Sequence, residues 1–530
     1  MIFLAGCRPG SISNTSIGDV DLSTIGQHIE CLASDEYLGR MPLTEGETKT
    51  VNYLKDEFGK LGLLPGNGES YFQDVPVVEI TGIPLGNMSF SGPNRNFDII
   101  YFTDFVAFTS KTENEVSLEN SELVFAGYGV VAPEYSWNDY EGIDWTGKTA
   151  VVLVNDPGFG SGDSALFKGN EMTYYGRWTY KYEEAGRQGA AGVIIIHETV
   201  PAAYGWNVVQ SSWTGPKLNL ESKSPAADVQ AWITTDAATK LFDASNFEFK
   251  KIKEMARNKD FKPMPLGLTT SVKIRNDIKR GITRNVAAIL PGTERKDEFI
   301  IYSAHWDHFG VGKPVDNDSI YNGALDNASG TACLLAIAEA FKKDVSTKRS
   351  IVFLGMTAEE QGLLGSAYYA ENPIFPPSQT VAMINMDGLN GYGTMKDLTI
   401  IGYGYSEMDK YAEDAAKKQD RYVMPNPEVE KGYFFRSDHY NLMRIGIPAL
   451  YASGSYEHFE KGIDFIEQMR DEFSQNHYHQ PSDEFDPQTF DLSGIGQDAQ
   501  LFYEIGLRLA NEDYFPKWYD GSEFKTARED

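Results

Sequence analysis

Residues 298–305 read EFIIYSAH, a nearly unbroken apolar run that stops at a histidine. A run of this length, entered from Pro291-Gly292 and left through Asp307, is the pattern of a strand buried on both faces. Similar runs follow at 350–357 (SIVFLGMT), 380–387 (TVAMINMD), 398–404 (LTIIGYG) and 447–453 (IPALYAS), with TRNVAAILPG at 283–292 just before. Between and after them lie segments with apolar residues at three-and-four spacing: 329–344, 362–372, 406–418 and 498–512. Strands alternating with helices predict an α/β fold around a mixed, largely parallel central sheet flanked by helices.

Working toward the N-terminus, residues 21–34 (DLSTIGQHIECLAS) and 46–63 (GETKTVNYLKDEFGKLGL) read as helices. From 70 to 130 the chain turns to short strands, as in FDIIYFTDFVAFTS and SELVFAGYGVVA. KTAVVLVNDPG (148–158), YYGRWTYKYEEAGRQGA (174–190) and AGVIIIHE (191–198) give strand, helix and strand, a small α/β module. Pro263 and Pro265 mark its exit. A second unit over 119–262 thus interrupts the first.

The 530 residues call for two domains. With 47 basic and 76 acidic residues the net charge is −29, which repels nucleic-acid backbones and anionic lipid headgroups. No apolar run reaches the roughly 18 residues that span a bilayer. Three cysteines cannot form a disulfide framework, and Cys31 and Cys333 sit in apolar helical contexts as inert thiols. Cys7 follows Leu4-Ala5-Gly6, and LAGC resembles a bacterial lipoprotein cleavage box. That resemblance implies a lipid anchor at Cys7 as the sole membrane contact, 1–19 as signal remnant and tether, and an exported, periplasmic, cell-envelope or extracellular protein. MIFLAG before it is shorter than a full signal peptide and has no basic n-region.

The chemistry concentrates where strands end. EFIIYSA runs into His305-Trp306-Asp307-His308, SIVFLGMTA into Glu359-Glu360, and TVAMINM into Asp387. Asp326 stands just before the helix at 329. In open α/β sheets this edge is where sites are built. Neutral imidazole and carboxylate are the donors of a catalytic zinc, with one position left to water. Two such ions need a bridging carboxylate, and a further carboxylate to take a proton. Taken singly, each residue has an ordinary reading. His305 can be a core histidine, Asp326 a helix-cap acid, Glu359-Glu360 a solvated turn and Asp387 turn chemistry.

Six motifs follow in order: AHWDHFG (304–310), YNGALDNASGTA (321–332), MTAEEQGLLGS (356–366), INMDG (384–388), RSDHYNLMRIGIPA (436–449) and NHYHQPSDEFD (476–486). With LASDEYLGR (32–40) they resemble the co-catalytic zinc exopeptidases, which include secreted bacterial leucine aminopeptidases, aminopeptidase Y and glutamate carboxypeptidase. The resemblance implies a phosphorylase/hydrolase-like fold and two Zn2+ per chain, in sites that also accept Mn or Co. His305, Asp326 and Asp387 would hold one ion; Asp326, Glu360 and His479 the other. Glu359 would be the general base acting through a metal-bridging hydroxide. Asp307 would orient His305 or tune the site from behind the ligands, Tyr478 would stabilise the oxyanion, and Arg436 would assist there or bind substrate. His479 is selected over His477 by the following Pro and Asp, while His308 and His439 are read as structural hydrogen-bonders.

AGYGVVAPEYSWNDYEGIDWTGKTAVVLVNDPG (126–158) with AGRQGAAGVIIIHE (185–198) resembles a protease-associated domain. The implied layout is a catalytic domain in two parts, 20–118 and 263–515, the protease-associated insert at 119–262, and a C-terminal tail at 516–530. The implied activity is removal of N-terminal residues from peptides. The competing expectations are a carboxypeptidase or dipeptidase of the same fold, a one-zinc glutaminyl cyclase, and a non-catalytic binding ectodomain.

Overall fold

The computed structural model describes residues 16–17, 20–93, 95–221, 226–343 and 346–529. Cys7 and the expected lipidation site lie outside them. The chain divides into two units. One comprises Met1–Pro76, Ile282–Pro427 and Arg436–Asp530; the other comprises Val77–Gly281 and Glu428–Phe435.

The first unit is built on the sheet that the apolar runs predict. Four parallel strands form its centre, in the order Arg349–Met356, Arg295–His305, Thr380–Asn385 and Ala449–Ser453. On one side, Val286–Leu290 of the strand Met264–Leu290 pairs antiparallel with Arg349–Met356. On the other, Asp397–Ile400 pairs antiparallel with Ala449–Ser453 and parallel with Tyr422–Pro425. Every residue of Arg349–Met356 is buried, as a strand covered on both faces requires.

Alternation assigns the two faces. Ile300, Tyr302 and Ala304 pack with Cys333, Leu334, Phe341 and Ile505 of the helices Ser329–Lys342 and Leu492–Asn511. Phe299 and Ile301 pack with Tyr369 and Leu442 of Leu364–Glu371 and His439–Arg444. The helix Leu22–Leu32 starts where the Asp21 carboxylate accepts the Ser23 N–H at 2.9 Å. Leu492–Asn511 starts the same way, with Asp491 accepting the Ser493 N–H at 3.0 Å.

The second unit is a sheet of its own. Glu115–Phe125, Thr149–Leu153, Gly192–Ile196 and Val229–Ile233 run parallel, and Phe105–Phe108 joins antiparallel beside Val229–Ile233. This is why the unit begins at Val77 and not at 119: the short strands upstream of 119 pair within this sheet. Its end lies at Gly281, not 262, because Met264–Leu290 pairs with Glu115–Phe125. Glu428–Phe435 also belongs here. The Met172 N–H donates to the Val429 carbonyl at 3.2 Å, and the Arg177 guanidinium lies 5.6 Å from the Phe435 ring centroid.

Two other expectations change. No helix is expected between 453 and 475, yet Gly462–Asn476 is a helix whose Phe465, Ile466, Met469 and Phe473 recur at three-and-four spacing on its less exposed side. The expected tail 516–530 packs on its unit: Trp518 and Phe524 are buried, and Arg528 donates to the carbonyls of Gly446 and Thr380. Among the described residues, no helix is long and apolar enough to cross a membrane.

Candidate metal centre

Sheet register brings the predicted residues to one level. His305 is paired with Met356, Ser303 with Asn385, and Asn385 with Tyr451. The ends of the parallel strands therefore deliver His305, the turn bearing Glu359 and Glu360, and Asp387 to the same edge. Asp326 arrives from Ala324–Ala328, an irregular turn in which its own φ/ψ of −113°/92° is not helical. It does not cap the following helix, whose N-cap is Ala328. Its main-chain N–H instead donates to the Asp483 carboxylate at 3.1 Å.

The side chains fall into two sets sharing Asp326. His305 Nε2 lies 3.2 Å from Asp387 Oδ1 and 3.4 Å from Asp326 Oδ1. His479 Nε2 lies 3.3 Å from Asp326 Oδ2 and 3.3 Å from Glu360 Oε2. Zinc bonds of about 2.0–2.1 Å in a tetrahedron put neighbouring ligand atoms about 3.3–3.4 Å apart. The four distances match that spacing, so the donor set fits two zinc ions with Asp326 between them. One donor atom from each of His305, Asp326 and Asp387 lies within 4.8 Å of the other two, and the same holds for His308, Asp326 and Glu360.

Electrostatics agree with a cation site. Burial opposes charge on His305, but Glu359, Asp387 and Asp326 outweigh it and hold the imidazole well above its ordinary range. Burial pushes Glu359 and Glu360 well up, and neighbouring acids push them further. Carboxylates crowded in a buried place are the groups a divalent cation returns to the ionised form.

Each donor is held from behind. The Asp387 Oδ2 accepts the Ser437 hydroxyl, Ser437 accepts from Asn385 Nδ2 at 2.7 Å, and Asn385 accepts the Ser303 hydroxyl at 2.6 Å. Asp307 meets the site through both its main chain and its side chain. His305 Nδ1 is nearer the Asp307 main-chain carbonyl (3.2 Å) than its carboxylate (3.8 Å). The carboxylate accepts the N–H groups of Glu359 at 3.0 Å and Glu360 at 3.3 Å. It thereby positions the turn that carries both acids. Burial lifts its pKa to about 6, and His305 pulls against that.

Glu359 Oε2 is 4.0 Å from His305 Nε2, beside the donors of the first set. The Tyr478 ring stacks on His479 with centroids 3.7 Å apart and is about half exposed (49%). Arg436 is exposed, next in sequence to the Ser437 that touches Asp387. His477 is held at the rim, against Glu472 and Ser482.

Three supporting residues escaped the sequence reading. Asn327 donates to the Met386 carbonyl at 3.0 Å and accepts the Gly330 N–H at 3.0 Å, joining the Asp326 turn to the Asp387 strand. Asp483 accepts the Leu325 and Asp326 N–H groups, and burial lifts its pKa to about 7. Buried Arg40 donates to the carbonyls of Leu32, Trp306, Asn322 and Gly323 at 2.6–2.9 Å. Arg40 and Asp483 both stand inside quoted motifs, LASDEYLGR and QPSDEFD. Their chemistry there is to hold main chain, which leaves no spacing signal.

Replacing Arg40 by Met leaves four carbonyls without this donor. It is expected to lower the free energy of urea unfolding by at least about 3 kcal/mol. A loss under about 1 kcal/mol would show that the carbonyls find other donors.

Residues 285–501 match the sequence model of peptidase family M28. That segment belongs to peptidase family M28. Its relatives include the mouse aminopeptidase NAALADL1, 33% identical over 129 residues, which make up 23% of this chain and 16% of the mouse protein. A Caenorhabditis elegans glutamate carboxypeptidase 2 homolog is 27% identical over 161 residues, covering 29% of this chain and 20% of that protein. The matches thus span a fifth or less of these two relatives. An aminopeptidase from Aneurinibacillus sp. strain AM-1 is similar in fold, with a TM-score of 0.53 at 19% identity, over 94% of this chain and 96% of that one. The M28 segment contains all five expected ligands and Glu359, while Arg40 reaches it from outside.

Proposed function

We propose that this chain is a di-zinc metallo-aminopeptidase that removes N-terminal residues from peptides. The observation that carries the reading is the pair of donor sets meeting at Asp326, with Glu359 beside them. His305, Asp326 and Asp387 would hold one zinc, and Asp326, Glu360 and His479 the other. When bound, the zinc pair supplies Lewis acidity to the scissile carbonyl and lowers the pKa of the attacking water.

The chain's own residues do the rest. Glu359, its turn pinned by Asp307, takes the water's proton and returns it to the departing amine. Tyr478, stacked on His479, donates its hydroxyl to the oxygen that gains charge. Arg436 lies at the rim for contact with the substrate backbone.

The names of the mouse and worm relatives include both kinds of exopeptidase. A peptide panel with free and blocked ends separates them. Cleavage of C-terminally amidated peptides and none of N-acetylated ones is the expected result. The opposite pattern makes the chain a carboxypeptidase. Cleavage of neither, with zinc bound and with dipeptides free at both ends also left intact, sinks the hydrolase reading.

A further inference from the structure

His308 is the histidine of the centre whose part the ligand sets leave open. It is fully buried, and its Nδ1 lies 2.7 Å from Glu360 Oε1. That is a hydrogen-bond distance, well short of the 3.2–3.4 Å spacings of the donor sets. The other carboxylate oxygen, Oε2, is the one that faces His479. A histidine that ligates metal nearly always donates its second ring N–H to a partner. His305 follows this pattern, with Nδ1 against the Asp307 carbonyl. His308 Nε2 is buried and has no hydrogen bond among the described residues, as is true of His479 Nε2, so it is the short contact to Glu360 Oε1 that sets His308 apart.

The ring also has a made place. Gly323 adopts φ +56°, and a Cβ there would come within 2.6 Å of the imidazole. The Gly323 carbonyl is tied to Arg40 at 2.8 Å, so this turn cannot move aside freely.

We infer that His308 is a positioning residue that occupies Glu360 Oε1 and so makes Glu360 a one-oxygen ligand of the second metal. This inference rests on the two-metal reading above. A carboxylate held to one oxygen leaves a coordination position for water, which a catalytic zinc needs and a closed site lacks.

Calorimetric titration of Zn2+ into the chelator-stripped full chain tests it, with circular dichroism to check folding. The wild type is expected to take up two ions. His308→Leu removes the donor and is expected to weaken one of the two by about 10–100-fold while sparing the other. His308→Asn places an amide N–H where Nδ1–H stands and is expected to return affinity to near the wild-type value. If His308→Leu does not fold, His308→Ala, which also lacks a donor, takes its place. Unchanged affinity in the donor-free variant overturns the inference. Equal losses in it and in the Asn variant also overturn it, because they mark His308 as a ligand. Fewer than two ions in the wild type removes the two-metal reading itself, a result visible before any variant is compared.

Discussion

Glu359→Gln is expected to lower peptide turnover by about 10²–10⁴-fold, the usual contribution of a general base, while zinc content stays at the wild-type level. The amide keeps the shape of the side chain but cannot accept a proton. The turn itself does not depend on the carboxylate, since it is fixed through the main-chain N–H groups that Asp307 accepts. Glu360 should therefore stay in place. The measurement is kcat with elemental analysis on the same sample. Turnover within tenfold of the wild type would remove Glu359 from the proton's path. Loss of zinc would make Glu359 a metal-holding group.

Asp326→Ala has the second large effect. Asp326 is the member common to both sets, with Oδ1 toward His305 and Oδ2 toward His479. Its removal is expected to strip zinc from both and to take hydrolysis to background. Asp387→Ala is the control, because Asp387 faces only the His305 set. Dialysed Asp326→Ala should retain clearly less zinc than dialysed Asp387→Ala. Equal contents would mean that Asp326 serves one ion alone.

Four of the five expected ligands were legible in the sequence because each stands at the end of a strand or just before a helix; His479 follows the helix Gly462–Asn476 and is reached only through the resemblance. At such positions the residue type itself carries the signal. His305, Glu360 and Asp387 needed only that the strands be parallel and in register. Much of the catalytic fold followed from the same runs. Long-range contact was not legible. Asp307 lies two positions from His305, yet its carboxylate serves Glu359 and Glu360 across more than 50 positions. The choice between His308 and His479 rests on a difference between 2.7 Å and 3.3 Å, which no motif encodes. The boundary of the second unit was misplaced because strands upstream of 119 pair within that unit's sheet. Nothing in a strand's composition names its neighbour.

Arg40 has a consequence for the order in which the chain matures. Its Nε meets the Trp306 carbonyl 266 positions later, after the whole intervening unit has been synthesised. Contacts that far apart close late. The brace from Arg40 can close only once the strand that ends at His305 is in place. A fragment cut to 285–501 would keep every expected zinc ligand and lack the guanidinium that braces the turn beneath them. Such a fragment is a poor choice as a minimal enzyme.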